Sequence, residues 1–98
     1  MTNKVLIKLY VPSLDCYYDI FIPVNELVWK TKTLIVKSIS DLSEGVFATN
    51  KKYALINTET GNIYNSNDVI INTDIKNSTN LALVEVNKET SPSVNPLQ

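Results

Sequence analysis

Two segments of alternating apolar residues, followed at once by an amphipathic segment, occupy residues 4–42 of this sequence. In residues 4–11 and 17–22 the apolar side chains recur at every second position, which is typical of strands with one buried face. Pro12 and Asp15 lie between the two segments and favour a turn. The sequence therefore begins with a predicted β-hairpin.

The amphipathic segment predicts one helix of four to five turns. Its apolar residues recur at intervals of three and four between Leu27 and Leu42, as on one face of a helix. Asn25 is the predicted N-cap, and Gly45 is the predicted left-handed residue at the C-terminal end.

The second half of the sequence predicts further strands and a long polar connection. Residues 53–57 form a predicted strand that turns back through residues 58–62 into a short strand at Ile63-Tyr64. Residues 65–80 read as an ordered connection held by a few apolar side chains, and residues 81–86 form the last strand. We predict one domain over residues 1–86 and a disordered tail over residues 87–98.

The helix can bury its apolar face only against the sheet, which predicts a two-layer core. The predicted inward residues are Val5, Ile7, Leu9, Tyr18, Ile20, Ile22, Leu27, Thr31, Leu34, Ile35, Ile39, Leu42, Tyr53, Leu55, Ile63, Ile75, Leu81 and Leu83.

Composition argues against most catalytic chemistry. The chain has no histidine, its basic residues are all lysine, and Cys16 is its one cysteine. A cysteine without a histidine to activate it is a poor nucleophile, so we predict no enzyme activity, no cofactor and no metal site. A net charge of -1 provides no electrostatic field that would attract nucleic acid. The sequence contains no long apolar segment of the kind that directs export or membrane insertion, so a cytoplasmic protein is expected.

The predicted order of elements, ββαβββ, resembles the β-grasp or ubiquitin-like fold. The polar approach to the last strand through Asp74 and Ile75 is similar to that of ubiquitin-like chains. Residues 5–10 and 18–23, which run into the helix, resemble more specifically the bacterial YukD/EsaB-type family. The resemblance implies an α+β fold in which a mixed sheet of four to five strands packs on one helix, with the first and last strands parallel at the centre.

The same resemblance implies a role for the protein. YukD/EsaB-type proteins are accessory components of type VII (WXG-motif) secretion systems, so the expected function is that of a non-catalytic adaptor for protein partners. An FtsK/SpoIIIE-type ATPase is among those expected partners. Conjugation through a C-terminal Gly-Gly is not expected, because Gly45 and Gly61 are the two glycines of the chain. The alternative is a β-grasp subunit that contributes a surface to a soluble enzyme complex.

Strand alternation predicts where partners would bind. If the core residues face the helix, the outward residues form a partner-binding patch on the other face of the sheet, with an exposed Ala82 within it. The patch consists of Leu6, Lys8, Tyr10, Ile56, Ala82 and Val84. Alternatively, the tail or a second copy of the chain, in a homodimer, covers this face. Trp29 is either a second contact residue for a partner or a cap over the edge of the core.

Overall fold

A computed structural model describes residues 3–86, so the predicted tail at residues 87–98 lies outside the described residues. The described chain forms four strands, one α-helix and one turn of 3-10 helix. In chain order these are β1 (Lys4–Val11), β2 (Cys16–Pro23), α1 (Val28–Leu42), β3 (Tyr53–Asn57), the 3-10 turn (Ile70–Asn72) and β4 (Asn80–Glu85).

The four strands form one mixed sheet in the order β2-β1-β4-β3. β1 pairs antiparallel with β2 and parallel with β4, and β3 pairs antiparallel with β4. The predicted β-grasp arrangement, with the first and last strands parallel at the centre, is therefore confirmed. The predicted short strand at Ile63-Tyr64 is reduced to a single bridge between Ile63 and Ile56.

The core lies between α1 and one face of the sheet. Each large apolar side chain removed from water there contributes about 1.5–3 kcal/mol. The buried apolar residues of this cluster are Ile7, Leu9, Val11, Ile22, Val28, Ile35, Ile39, Phe47, Tyr53, Leu55, Tyr64, Ile70, Ile75, Leu81 and Leu83.

Three residues predicted to face the core are exposed instead. Leu34, Leu42 and Ile63 have exposed fractions of 52%, 62% and 63%. The buried face of α1 is narrow and follows Val28, Thr31, Ile35 and Ile39, so that Leu34 lies beside it and Leu42 lies where the helix ends. The loop residue Phe47 is buried in addition, with its ring stacked on Tyr53 at 4.7 Å between centroids.

Helix α1 begins later than predicted and without a capping side chain. Leu27, not Asn25, is its N-cap residue. The first backbone N–H groups of a helix need acceptors, and here a distant loop supplies them. The N–H of Val28 donates to the carbonyl of Asp68 at 2.8 Å, and that of Trp29 donates to Ser66 at 3.1 Å. The connection at residues 65–72 therefore replaces a local cap.

The C-terminal end of α1 is a Schellman turn. Gly45 N–H donates to the carbonyl of Ser40 at 2.7 Å, and Glu44 N–H donates to that of Asp41 at 3.1 Å. Gly45 has a φ of +84°, as predicted, but Glu44 also has a positive φ, +57°. A side chain at the left-handed position strains the backbone, and glycine avoids this strain.

Replacing Glu44 with glycine is therefore expected to stabilise the protein by about 0.5–1 kcal/mol, because it removes this strain. Urea unfolding followed by circular dichroism measures the change. Lys37→Gly, in the exposed middle of the same helix, is the matched control and should destabilise by about 0.7–1 kcal/mol. Equal losses in both variants would contradict the left-handed assignment.

Candidate functional site: the outer face of the sheet

One row of side chains crosses all four strands on the face of the sheet opposite α1. Tyr10 is paired with Tyr17 on β2 and with Ala82 on β4. Ala82 is paired with Ile56 on β3, and Ile56 is bridged to Ile63. Because directly paired residues point to the same face, these five residues form one continuous row, which we call the outer row.

The remaining predicted patch residues lie on either side of the outer row. Lys8 is paired with Asp19 and with Asn80, which makes the neighbouring row polar. Leu6 lies beyond Lys8 and is paired with Phe21. On the other side of the outer row, Val84 is paired with Ala54. The predicted patch is therefore on one face, but Lys8 separates Leu6 from the outer row.

Exposure differs strongly along the outer row. Tyr17 and Ile63 at its ends have exposed fractions of 69% and 63%, whereas Tyr10 and Ile56 are half-buried. Ala82 was predicted to be exposed but is buried at 7%, because its methyl group lies between the larger side chains of Tyr10 and Ile56. The accessible apolar surface is thus supplied by the aromatic and isoleucine side chains.

Three exposed residues of this face were not among the predicted patch residues. Tyr17 and Phe21, the latter with an exposed fraction of 66%, follow from the alternation of β2 once Ile20 and Ile22 face inward. Ile63 was predicted to face the core, but its neighbour Tyr64 faces the core instead. A shift of one residue exchanges the two faces of an extended segment.

Tyr10 is held in a fixed position at the centre of the outer row. Its hydroxyl donates to Asp15 Oδ1 at 2.8 Å, and its ring lies 4.7 Å from that of Tyr17 between centroids. The hydrogen bond to the Asp15 carboxylate, followed by burial, raises the pKa of the Tyr10 phenol. The phenol therefore stays neutral, and the two rings present a preorganised aromatic surface.

Trp29 is not part of this surface. It lies in the first turn of α1 with an exposed fraction of 45%, and the Nζ of Lys30 is 5.8 Å from its ring centroid. The structure therefore places the second predicted contact residue in the helix layer.

A buried polar cluster fixes the loop beside the outer row. Tyr64 donates its hydroxyl proton to Asp74 Oδ1 and accepts a hydrogen bond from Asn57 Nδ2 at 3.1 Å. Asn57 Oδ1 accepts from the N–H groups of Glu59 and Thr60, which closes the turn after β3. Burial, and then the hydrogen bond to Asp74, raise the pKa of Tyr64 to about 12.

Replacing Tyr64 with phenylalanine is expected to cost about 1–2 kcal/mol at neutral pH, because Asn57 and Asp74 lose their partner. The raised pKa adds a pH dependence. An unfolded tyrosine ionises near 10, so the contribution of Tyr64 is complete below pH 10 and is lost as the pH rises through about 12.

Urea unfolding of both proteins at pH 8 and near pH 11 checks this, and the difference between them should shrink at the higher pH. Tyr17→Phe, at an exposed tyrosine, is the matched control and should change stability by less than about 0.5 kcal/mol. A difference that grows with pH would contradict the role of the Tyr64 proton.

Cys16 is an exposed free thiol at the start of β2. Within residues 3–86, no three histidine, cysteine or acidic side chains lie close enough together to hold a metal ion. In the same part of the chain, α1 falls short of the length and apolar character that crossing a membrane requires.

Comparison with known proteins finds similar structures but no match in sequence. No protein-family model and no curated protein matches the sequence. A chain of the MycP5-free ESX-5 inner membrane complex in state II is similar, with a TM-score of 0.74, 14% identity and 98% of this chain covered. This protein spans 24% of the length of that chain.

A domain and a chain of comparable length are also similar to this chain. The EccD5 ubiquitin-like domain from Mycobacterium xenopi has a TM-score of 0.69 and 11% identity, over 86% of this chain and 96% of the domain. A chain of the toluene 4-monooxygenase HD complex has a TM-score of 0.67 and 5% identity, over 86% of this chain and all (100%) of that one. At these identities the likeness shows the fold alone, which is a ubiquitin-like β-grasp.

Proposed function

We propose that this protein is a non-catalytic ubiquitin-like adaptor that binds a protein partner through the outer face of its sheet. The observation that carries the proposal is the outer row, a continuous line of side chains across four strands that is exposed at Tyr17 and Ile63 and half-buried at Tyr10 and Ile56. Contiguous apolar surface of this kind marks interaction sites, and aromatic residues supply much of the binding energy at protein interfaces.

We infer further that the partner belongs to a type VII secretion system. The likeness to the EccD5 ubiquitin-like domain and to a chain of the ESX-5 inner membrane complex supports this, together with the resemblance of the hairpin and helix to the YukD/EsaB-type family. The proposed partner is the cytoplasmic part of the secretion machinery, in particular an FtsK/SpoIIIE-type ATPase, and the proposed location is the cytoplasm.

A second candidate is a β-grasp subunit that contributes a surface to a soluble enzyme complex. The likeness to a whole chain of the toluene 4-monooxygenase HD complex favours it. Both candidates use the fold as a binding surface, so the identity of the bound protein separates them.

Site-specific photo-cross-linking in the native cell tests the proposal. A photoreactive amino acid in place of Tyr17 is expected to cross-link to the secretion ATPase, because position 17 lies on the outer row. The same amino acid in place of Leu42, similarly exposed but at the end of α1, is the matched control and should not cross-link to the ATPase. Cross-links from position 17 to subunits of a soluble enzyme, or to a second copy of the chain, would contradict the proposal.

A further inference from the structure

We propose a second binding site, beyond the adaptor surface: the groove between α1 and the edge of β3 binds an extended acidic and apolar segment of a partner protein. The groove has a volume of about 750 Å³, within the range of ligand-binding clefts. Helix residues line one wall, and β3 together with residues 63–66 lines the other. Ile63 is the one residue that it shares with the outer row.

The walls of this groove carry concentrated positive charge. Four of the nine lysines of the chain line it, and among residues 3–86 no acidic side chain does. They are Lys32, Lys37, Lys51 and Lys52. Glu85 pairs with Lys51 at 3.3 Å, but that pair is about half exposed and neutralises one lysine at most. The groove is therefore positive although the whole protein has a net charge of -1.

Both burial and a neighbouring positive charge act on Lys32. Burial, and then the charge of Lys52, lower the pKa of its amine. A carboxylate bound between the two amines would reverse the second of these effects, since opposite charges favour the ionised form. The groove is thus electrostatically complementary to acidic side chains.

Part of the lining of the groove is apolar, which restricts the ligand further. Val36, Ile63 and Val86 contribute aliphatic surface, and Tyr53 contributes a ring. A ligand that fills this site needs apolar side chains as well as acidic ones. The chain has no arginine for bidentate contacts to phosphate, and the apolar lining suits peptide side chains, so the surface fits a peptide better than an oligonucleotide.

The edge of β3 provides a template for an extended segment. Residues 62–64 already pair with the C-terminal half of this edge, through Asn57 N–H to Asn62 at 2.9 Å and Tyr64 N–H to Leu55 at 3.1 Å. By alternation, the backbone of Tyr53 points to the same edge and faces the groove. A segment entering there can add to the sheet as a further strand. The chain's own residues 87–98 fit the charge poorly, because their one lysine and one glutamate leave no net negative side-chain charge.

Fluorescence anisotropy with a defined probe tests the proposal. The probe is a labelled peptide of about ten residues in which glutamate alternates with valine, and the matched peptide carries glutamine in place of glutamate. The full chain is expected to bind the acidic peptide at least about 10-fold more tightly, and binding should weaken markedly as salt is raised to about 0.5 M.

Paired variants locate the site. Lys32→Gln with Lys52→Gln should weaken acidic-peptide binding by about 10-fold, whereas Lys30→Gln with Lys76→Gln, which removes the same charge outside the groove, should change it less than about twofold. Equal losses of peptide affinity in the two double variants would overturn the proposed location of the site. Equal affinity for the neutral peptide, tighter binding of a short oligothymidylate, or no saturable binding of the acidic peptide would overturn the proposed ligand.

Discussion

Replacing Leu9 with alanine is expected to lower the free energy of unfolding by about 3–4 kcal/mol. Leu9 lies on the central strand β1, is 0% exposed and faces α1. Its truncation loses the transfer free energy of the removed groups and leaves a cavity that central strands cannot readily close. A loss of this size is a large part of the stability of a small domain. Thermal unfolding should shift downward by more than about 12 °C.

Leu6→Ala is the matched control for Leu9→Ala. It makes the same chemical change on the same strand, but on the outer face, where Leu6 has an exposed fraction of 36%. We expect it to cost less than about 1 kcal/mol. Similar losses in the two variants would mean that the sheet buries both of its faces, which would also remove the outer face as a binding surface.

The combined substitution Tyr17→Glu with Phe21→Glu is expected to weaken partner binding by about 100-fold, or about 2.7 kcal/mol. Both aromatic side chains are about two-thirds exposed, at 69% and 66%, so their loss removes contact area and places charge in an apolar interface. Tyr10 and Ile56 are less suitable targets, because both are half-buried and a charge there would also destabilise the fold. Calorimetric titration with the purified cytoplasmic part of the secretion ATPase measures the loss.

The control for this pair is Leu34→Glu with Leu42→Glu. These leucines have exposed fractions of 52% and 62% but lie on α1. The control makes the same change in charge and a similar change in hydrophobicity while leaving the outer face intact. Its affinity for the ATPase should therefore stay within about twofold of that of the parent protein. Both double variants should unfold within about 1 kcal/mol of the parent. A larger loss of affinity in the leucine pair would move the binding surface to the helix layer.

The order of the elements along the chain could be predicted from the sequence, because the residue patterns that indicate them are local. Alternation over residues 4–11 and 17–22 defines the hairpin, and the apolar spacing between residues 28 and 39 defines α1. Once one helix follows a hairpin and further strands follow the helix, few arrangements bury the apolar faces of all of them. The parallel pairing of β1 with β4 was expected from the resemblance to the β-grasp.

The departures from prediction arise where distant residues decide the structure. Asn25 is a good local cap, yet α1 begins at Val28 because the carbonyls of Ser66 and Asp68 accept its first N–H groups. Ile63 and Tyr64 are adjacent, and either side chain could fill the core. The hydrogen bonds of the Tyr64 hydroxyl with Asn57 and Asp74 place Tyr64 inward. Local patterns do not contain these long-range partners.

The candidate site was predicted only in part for a related reason. Tyr10, Ile56 and Val84 lie on the predicted face, but the burial of Ala82 depends on the size of its neighbours on two other strands. The groove between α1 and the edge of β3 was not predicted, because the lysines that line it come from α1 and from the loop before β3. Charge clusters assembled from separate segments become visible only in the fold.

Methyl NMR with isoleucine probes tests the central claim, partner binding by the outer face, most directly. The δ1-methyl group of Ile56 lies on the outer row, whereas that of Ile71, with an exposed fraction of 60%, lies on the 3-10 turn outside the sheet. On titration with the cytoplasmic part of the secretion ATPase, we predict that the Ile56 signal shifts or broadens while the Ile71 signal stays unchanged. An unchanged Ile56 signal at saturation, with or without a shift of Ile71, would contradict the account.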